Sequence, residues 1–150
     1  MSAKWQQRKF YPKNPSKYRG DPTQIFMRSS WETRFSIWAD SNPAIIEWSS
    51  ETVVIPYLSP VDNRWHRYFV DFWIKVKDKD GKLTTYLVEI KPHKQSVPPE
   101  VKKGKHTKTL MMESATFLVN QAKWQYAKQY AAQRGWQFIV ITENELGLAK

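Results

Sequence analysis

Apolar residues in this chain fall into short alternating or β-branched stretches that are separated by polar turns. Alternation places successive side chains on opposite faces of a strand, and β-branched and aromatic residues favour that conformation. The pattern predicts four strands, over residues 45–57 with an interruption at 49–50, then over 67–76, 83–91 and 136–141.

Two further stretches repeat apolar residues every three or four positions, as an amphipathic helix does. The first predicted helix covers 30–40, where Trp31, Phe35 and Trp38 share a face, and Asn42-Pro43 ends it. The second covers 113–133 and is closed by a glycine. Its apolar stripe consists of Phe117, Leu118, Trp124, Ala127 and Ala131.

The remaining segments predict an extended arm, a loop and a short last helix. Residues 1–28 are rich in proline, glycine and basic residues and predict the arm. Its anchoring aromatics are Trp5, Phe10, Tyr11 and Tyr18. Residues 92–108 predict a loop because Pro98-Pro99 excludes regular structure there, and 143–148 predict the short helix. The order α-β-β-β-α-β indicates one α/β (α+β) domain, with the arm over 1–28 and the folded domain over 29–150.

The net charge of +10 is concentrated in two segments. Residues 1–28 hold seven lysine or arginine residues against one acidic residue, and residues 91–108 hold six lysines against one. Such segments are typical of nucleic-acid-binding proteins, with a solubilising or membrane-surface patch as the alternatives. No amphipathic basic helix favours the membrane, and no apolar run has the length of a membrane span.

Several chemistries lack the residues that they need. The chain has no cysteine, which excludes disulfides, zinc–thiolate sites and thiol catalysis. His66, His93 and His106 lack the spacing of metal ligands, so each is expected to contact phosphate or lie on the surface. No glycine-rich phosphate loop is present, so a nucleotide cofactor is not expected.

An acidic residue within the second predicted strand, together with an acidic residue and a lysine at the end of the third, is the strongest chemical signal. Asp80-Gly81 separates the two middle strands and predicts a hairpin turn. A hairpin centred there puts Asp71 directly opposite Glu89, and Lys91 then shares a face with Glu89. Facing carboxylates are unfavourable without a counter-ion. A divalent cation that also binds a phosphodiester would neutralise them.

Magnesium fits these residues because it prefers oxygen ligands and uses only one or two carboxylates. Asp71 and Glu89 would provide them, and the backbone carbonyl of Ile90 is a possible third ligand. Lys91 would orient the attacking water, stabilise negative charge or act as a base, and these roles stay open. The structural alternative is an ion pair between Asp71 and Lys91.

Glu32 has two possible roles. Ser29 and Glu32 form a Ser-x-x-Glu capping box, in which the carboxylate would accept the backbone N–H of Ser29. Glu32 would otherwise add a third carboxylate to the site from the first helix.

Glu32, Asp71, Glu89 and Lys91 together match the pattern of the PD-(D/E)XK nuclease superfamily, with Val70 in place of the usual proline. The chain also resembles, over nearly its whole length, the head completion nucleases of T-even-type tailed phages. It resembles the endonuclease subunit of Tn7-type transposition systems more distantly. The matching segments are 14–22, 28–32, 43–48, 50–57, 67–71 and 89–92.

The resemblance implies a restriction-endonuclease-like core with a mixed four-stranded sheet. It also implies a Mg²⁺- or Mn²⁺-dependent endodeoxyribonuclease that cleaves double-stranded DNA after genome packaging, beside other head or portal proteins. Its place would be the virion, and the host cytoplasm during assembly. Glu32, Asp71 and Glu89 would hold the metal. The candidate DNA contacts are Arg19, Arg28, Arg34, Lys94, Lys102, Lys103 and Lys105.

Two other functions compete with this one. A non-catalytic head protein would bind DNA or the portal and retain a vestigial site. An RNA-binding protein would stack bases on its exposed aromatics.

Overall fold

The computed structural model describes residues 7–147, so Trp5 of the predicted arm and Leu148 of the predicted last helix lie outside the described residues. The α-helices and strands are β1 (Arg8–Lys9), β2 (Phe26–Met27), α1 (Ser30–Ser41), β3 (Ile45–Ser50), β4 (Val54–Leu58), β5 (Trp65–Phe69), β6 (Phe72–Lys77), β7 (Leu83–Ile90), α2 (Thr107–Gln133) and β8 (Gln137–Ile141). Short 3-10 helices cover Pro15–Lys17 in the predicted arm and His93–Gln95 in the loop that was predicted to lack regular structure. Neither α-helix of the described part is both long and apolar enough to cross a membrane.

A four-stranded sheet in the order β3-β6-β7-β8 forms the centre of the fold. The pairs β3–β6 and β6–β7 are antiparallel and β7–β8 is parallel, which confirms the predicted mixed sheet. Two of the predicted strands were too long. Residues 45–57 divide into β3 and β4 near Glu51, which has a left-handed backbone with φ of 56°, and 67–76 divide at Val70-Asp71. The outer halves, β4 and β5, leave the sheet and pair with each other as a ribbon.

One core lies on each face of the sheet. The first is formed by α1, the N-terminal segment and one face of the strands, and contains Tyr18, Ile25, Met27, Phe35, Ala39, Ile45, Trp48, Phe72, Ile74, Val88 and Ile90. The second joins α2 and the β4–β5 ribbon to the other face and contains Ile55, Tyr57, Tyr68, Val70, Trp73, Leu87, Trp124, Ala127 and Ala131. Because side chains alternate along β7, Leu87 and Glu89 face α2 while Val88 and Ile90 face α1.

The N-terminal segment packs against the end of α1 and the edge of β3. The Lys17 ammonium donates hydrogen bonds of 2.9 Å to three carbonyls at the C-terminal end of the helix, those of Ala39, Asp40 and Asn42. Tyr18 is buried in the first core, and the Arg19 N–H donates to the Trp48 carbonyl of β3 at 2.8 Å. These bonds satisfy carbonyls that a helix end leaves without partners and cover a sheet edge. The division at residue 28 stays a prediction.

α2 differs from its predicted extent and stripe. It begins at Thr107 rather than 113, where the ring of His106 accepts the N–H of Lys108. Its first turns are mostly exposed and carry no apolar repeat, so periodicity could not reveal them. Leu118, assigned to the stripe, is exposed, and Asn120 is buried instead. Residues 143–147 form turns and not the predicted short helix.

Candidate active site

The β6–β7 hairpin brings Asp71 and Glu89 together. Phe72 pairs with Val88 in the hairpin, so continuing the register by one position puts Asp71 opposite Glu89, as the sequence predicts. Asp71 lies just before β6, and its Oδ2 accepts the backbone N–H of Ile90 at 2.8 Å. The two carboxyl groups therefore meet at one end of the central strand pair.

Glu89 is held from both sides. The side chain is buried, with 2% of the residue exposed. The Tyr68 hydroxyl donates to its Oε1 at 2.7 Å, and the Lys91 ammonium lies 3.8 Å from its Oε2. Among the described residues, the ion pair of Lys91 is therefore with Glu89, and the Asp71–Lys91 pair considered as a structural alternative is not formed.

Burial and mutual repulsion govern the charge of this pair. The pKa of Asp71 lies well above its usual range because the group is mostly buried and because it faces the charge of Glu89. Burial also raises the pKa of Glu89, against the opposing effects of Lys91 and of the Tyr68 hydroxyl. Two such groups hold a proton readily, and a divalent cation in its place would let both ionise.

Glu32 lies in the first turn of α1 and interacts electrostatically with Asp71 of the carboxylate pair. Ser29 caps α1, and its Oγ accepts the Glu32 N–H at 3.1 Å. The Glu32 carboxylate accepts the backbone N–H of Arg28 at 3.2 Å, not that of Ser29 as the capping box predicts. Burial raises the pKa of Glu32, and its charge contributes to the raised pKa of Asp71. Glu32 is thus an electrostatic neighbour of Asp71 as well as a cap residue.

The donor set suits a small hard cation. Within residues 7–147 no group of three histidine, cysteine, aspartate or glutamate side chains is arranged to hold a metal ion. Magnesium does not need three, because it keeps several waters and uses one or two carboxylates. Asp71 and Glu89 fit that requirement. Ligation by Glu32 or by the Ile90 carbonyl stays a prediction.

Comparison with known proteins identifies the family. Residues 42–143 match the model of the TnsA-like endonuclease N-terminal domain, which is a PD-(D/E)XK-type nuclease domain. The chain belongs to this family. The match includes Asp71, Glu89 and Lys91, whereas Glu32 lies before it. The chain is also 46% identical over 142 residues to the head completion nuclease of Enterobacteria phage T4, covering 92% of this chain and 91% of that protein.

Two residues that lie beside the Asp71–Glu89 pair were not predicted from the sequence. Tyr68 reads as one more apolar position of its strand, and only the fold shows that its hydroxyl reaches Glu89. Lys123 of α2 is half-buried, and its charge interacts with those of Glu89 and Asp71. A weak signal was available for Lys123, since it directly precedes Trp124 and stands four residues before Ala127, both of which are buried.

The predicted DNA contacts of this TnsA-like chain fall into two groups. Four have protein partners: Arg28 pairs with Glu51 at 3.3 Å, Arg34 donates to the Leu146 carbonyl at 3.4 Å, Lys102 pairs with Glu100 at 3.1 Å, and Lys105 pairs with Glu113 at 2.8 Å. The other three, Arg19, Lys94 and Lys103, are exposed and form no ion pair within the described part of the chain. The Arg19 guanidinium lies 4.3 Å from the centroid of the Trp73 ring. DNA contact by all seven stays a prediction.

Proposed function

We propose that this chain is a metal-dependent endodeoxyribonuclease that cleaves double-stranded DNA during completion of a phage head. The observation that carries the proposal is the pairing of the partly buried Asp71 with the buried Glu89, with Lys91 at 3.8 Å from Glu89. Membership of an endonuclease family and likeness to a phage head completion nuclease support it. That likeness also supports action after genome packaging, in the virion or the host cytoplasm, beside other head or portal proteins.

Each residue of the site would have a separate role in phosphodiester hydrolysis. Asp71 and Glu89 would hold Mg²⁺ or Mn²⁺, with Glu32 and the Ile90 carbonyl as further ligands. The bound ion would supply an activated water and polarise the scissile phosphate. Tyr68 fixes the Glu89 carboxylate through Oε1, which leaves Oε2 directed to Lys91. The Lys91 ammonium stabilises negative charge that develops on the phosphate.

A cleavage assay with matched variants tests this function. Linear duplex DNA is incubated with wild-type protein, E89Q, K91A and the control E47Q, in Mg²⁺ and in EDTA. Glu47 is a partly exposed carboxylate of β3 that pairs with Lys75, so E47Q removes a charge away from the site. We expect E89Q and K91A to lose about 100-fold or more in rate, E47Q to match wild type, and EDTA to stop cleavage.

The competing function is a non-catalytic head protein with a vestigial site. The bond from the Arg28 N–H to Glu32 favours it, because that bond already occupies one oxygen of the third predicted ligand. It predicts duplex binding without cleavage by wild type or by any variant in Mg²⁺. Equal cleavage by wild type, E89Q and K91A would contradict the proposed site.

A further inference from the structure

Lys123 projects from α2 toward the same carboxylate pair. Its ammonium lies 5.5 Å from the centroid of the Tyr68 ring and 5.7 Å from that of Tyr57. Among the described residues it forms no hydrogen bond and no ion pair, although it is half-buried. Aromatic rings attract an ammonium group electrostatically but provide no counter-charge for it.

The surrounding charges place Lys123 in the site. Burial lowers the pKa of Lys123, and so does the positive charge of Lys91, while Glu89 and Asp71 act in the opposite direction. Lys91 approaches Glu89 at Oε2, and Lys123 covers the ring of Tyr68, which is bonded to Oε1. Glu89 is therefore subject to two positive charges, that of Lys91 in an ion pair and that of Lys123 over the ring of its hydrogen-bond partner Tyr68. Their mutual repulsion is relieved by an anion that binds between them.

We propose that Lys123 is a phosphate-binding residue that holds the scissile phosphodiester together with Lys91. The proposal rests on the proposed function, since it names the group that would hold the substrate of the same site. A phosphodiester carries the single negative charge that two lysines and a metal-bound carboxylate pair would accept. The direction of α2 explains the placement: Trp124 and Ala127 are buried against the sheet, and Lys123 lies at the border of that face.

A merely structural Lys123 would behave differently. Lysine stems often cover apolar rings while the ammonium stays near water. In that case the methylene groups matter and the charge does not. K123M retains a stem of similar length and removes the charge, so it separates the two roles. Lys128, which is exposed on the same helix, provides the control K128M.

The test compares wild type, K123M, K123R and K128M in two measurements. The first is binding of a short linear DNA duplex over a range of salt, with Ca²⁺ in place of Mg²⁺. We expect K123M to reduce the slope of log K against log salt by about 0.9, as for one lost phosphate contact. The second is cleavage in Mg²⁺ at saturating DNA. We expect K123M to lose about 100-fold in kcat, while K123R stays nearer wild type and K128M is unchanged in both.

The outcomes separate this inference from the proposed function. If wild type cleaves DNA and K123M has the same salt slope and the same kcat, the role of Lys123 is overturned while the proposed function stands. No cleavage by wild type overturns the proposed function, and the binding slope still decides whether Lys123 contacts phosphate. Thermal melting checks folding: we expect K123M to melt no lower than wild type, because it removes a half-buried charge. If K123M melts lower, K123Q replaces it, and an unchanged slope for folded K123Q overturns the proposal.

Discussion

At the scale of single residues, Asp71 is a carboxyl group whose ionisation the fold opposes. It is mostly buried, faces the charge of Glu89, and interacts with that of Glu32 as well. The backbone N–H of Ile90 and the positive charge of Lys91 act in the opposite direction. In such a site the carboxyl groups ionise unfavourably without a cation, and a bound cation makes their ionisation favourable. A metal-dependent enzyme uses this difference to bind its ion.

The raised pKa of Asp71 predicts a pH-dependent stability in the absence of divalent cations. The folded protein binds a proton at Asp71 more tightly than the unfolded chain does. The contribution of Asp71 to stability is therefore complete at pH values below the ordinary aspartate pKa. It is lost as the pH rises through the raised pKa of the folded protein. In EDTA we expect wild type to melt lower at about pH 8 than at about pH 5, and D71N to show a smaller decrease.

Thermal melting at both pH values measures this effect. D80N is the control, because Asp80 is exposed in the hairpin turn. Excess Mg²⁺ should raise the melting temperature of wild type at the higher pH and leave D71N unchanged, since only wild type keeps both carboxylates. A D71N protein whose melting follows pH as wild type does would show that Asp71 ionises normally.

At the scale of elements, the C-terminal end of α1 depends on a lysine from outside the helix. Lys17 satisfies three carbonyls there, and the Asp40 carboxylate accepts the Lys13 backbone N–H at 2.8 Å. The positive charge also complements the negative end of the helix dipole. The N-terminal segment and α1 thus stabilise each other, and α1 in turn positions Glu32.

Replacing Lys17 with methionine should weaken this connection. K17M keeps a stem of similar length but removes the ammonium. The Asp40 carbonyl keeps the Asn14 side-chain amide as a donor and the Asn42 carbonyl keeps the Ile45 N–H, whereas the Ala39 carbonyl loses its donor because residue 43 is a proline. We therefore expect the unfolding free energy to fall by about 1–3 kcal/mol. Urea denaturation measures the change. K13M is the control. Lys13 is a nearby exposed lysine of the same segment, and its hydrogen bond to Asp40 is donated by its backbone N–H. Equal unfolding free energies for K17M and K13M would contradict the assignment.

At the scale of the whole molecule, the cationic surplus is unevenly available to DNA. The described structure uses Arg28, Lys102 and Lys105 in ion pairs with its own carboxylates. Lys94 and Lys103 lie exposed in the loop that follows Lys91, without an ion pair among the described residues. Net charge alone therefore overstates the phosphate contacts that this surface offers without rearrangement.

The exposed loop lysines should contribute to duplex binding without contributing to chemistry. We expect the double variant K94Q/K103Q to lower the salt slope of duplex binding by about 1.8, at about 0.9 for each phosphate contact. Its kcat at saturating DNA should stay near wild type, because phosphate contacts of this kind supply affinity. K79Q/K82Q in the hairpin turn is the control, with two exposed lysines at the opposite end of β7 from Glu89. An unchanged slope for K94Q/K103Q would remove this loop from the DNA interface.

Local patterns along the chain were enough to predict the hairpin and hence the pairing of Asp71 with Glu89. A turn at Asp80-Gly81 and alternation in the flanking strands leave one register that buries the apolar faces, and Gly81 adopts the left-handed φ of 82° that such a turn requires. The strands that contribute to the four-stranded sheet were predicted from periodicity in the same way. These features are local, because residues close in the chain decide them.

The other groups that complete the site depend on how distant segments pack together. Tyr68 reaches Glu89, and the Lys123 ammonium lies over the Tyr68 ring, because the β4–β5 ribbon and α2 pack together on one face of the sheet, and no local pattern encodes that packing. The division of the two long strands depends on backbone turns at Glu51 and Val70-Asp71. The bond from Arg28 to Glu32 likewise depends on how the chain enters α1. Contacts between distant segments form by side-chain packing, which the spacing of residues in the sequence does not specify.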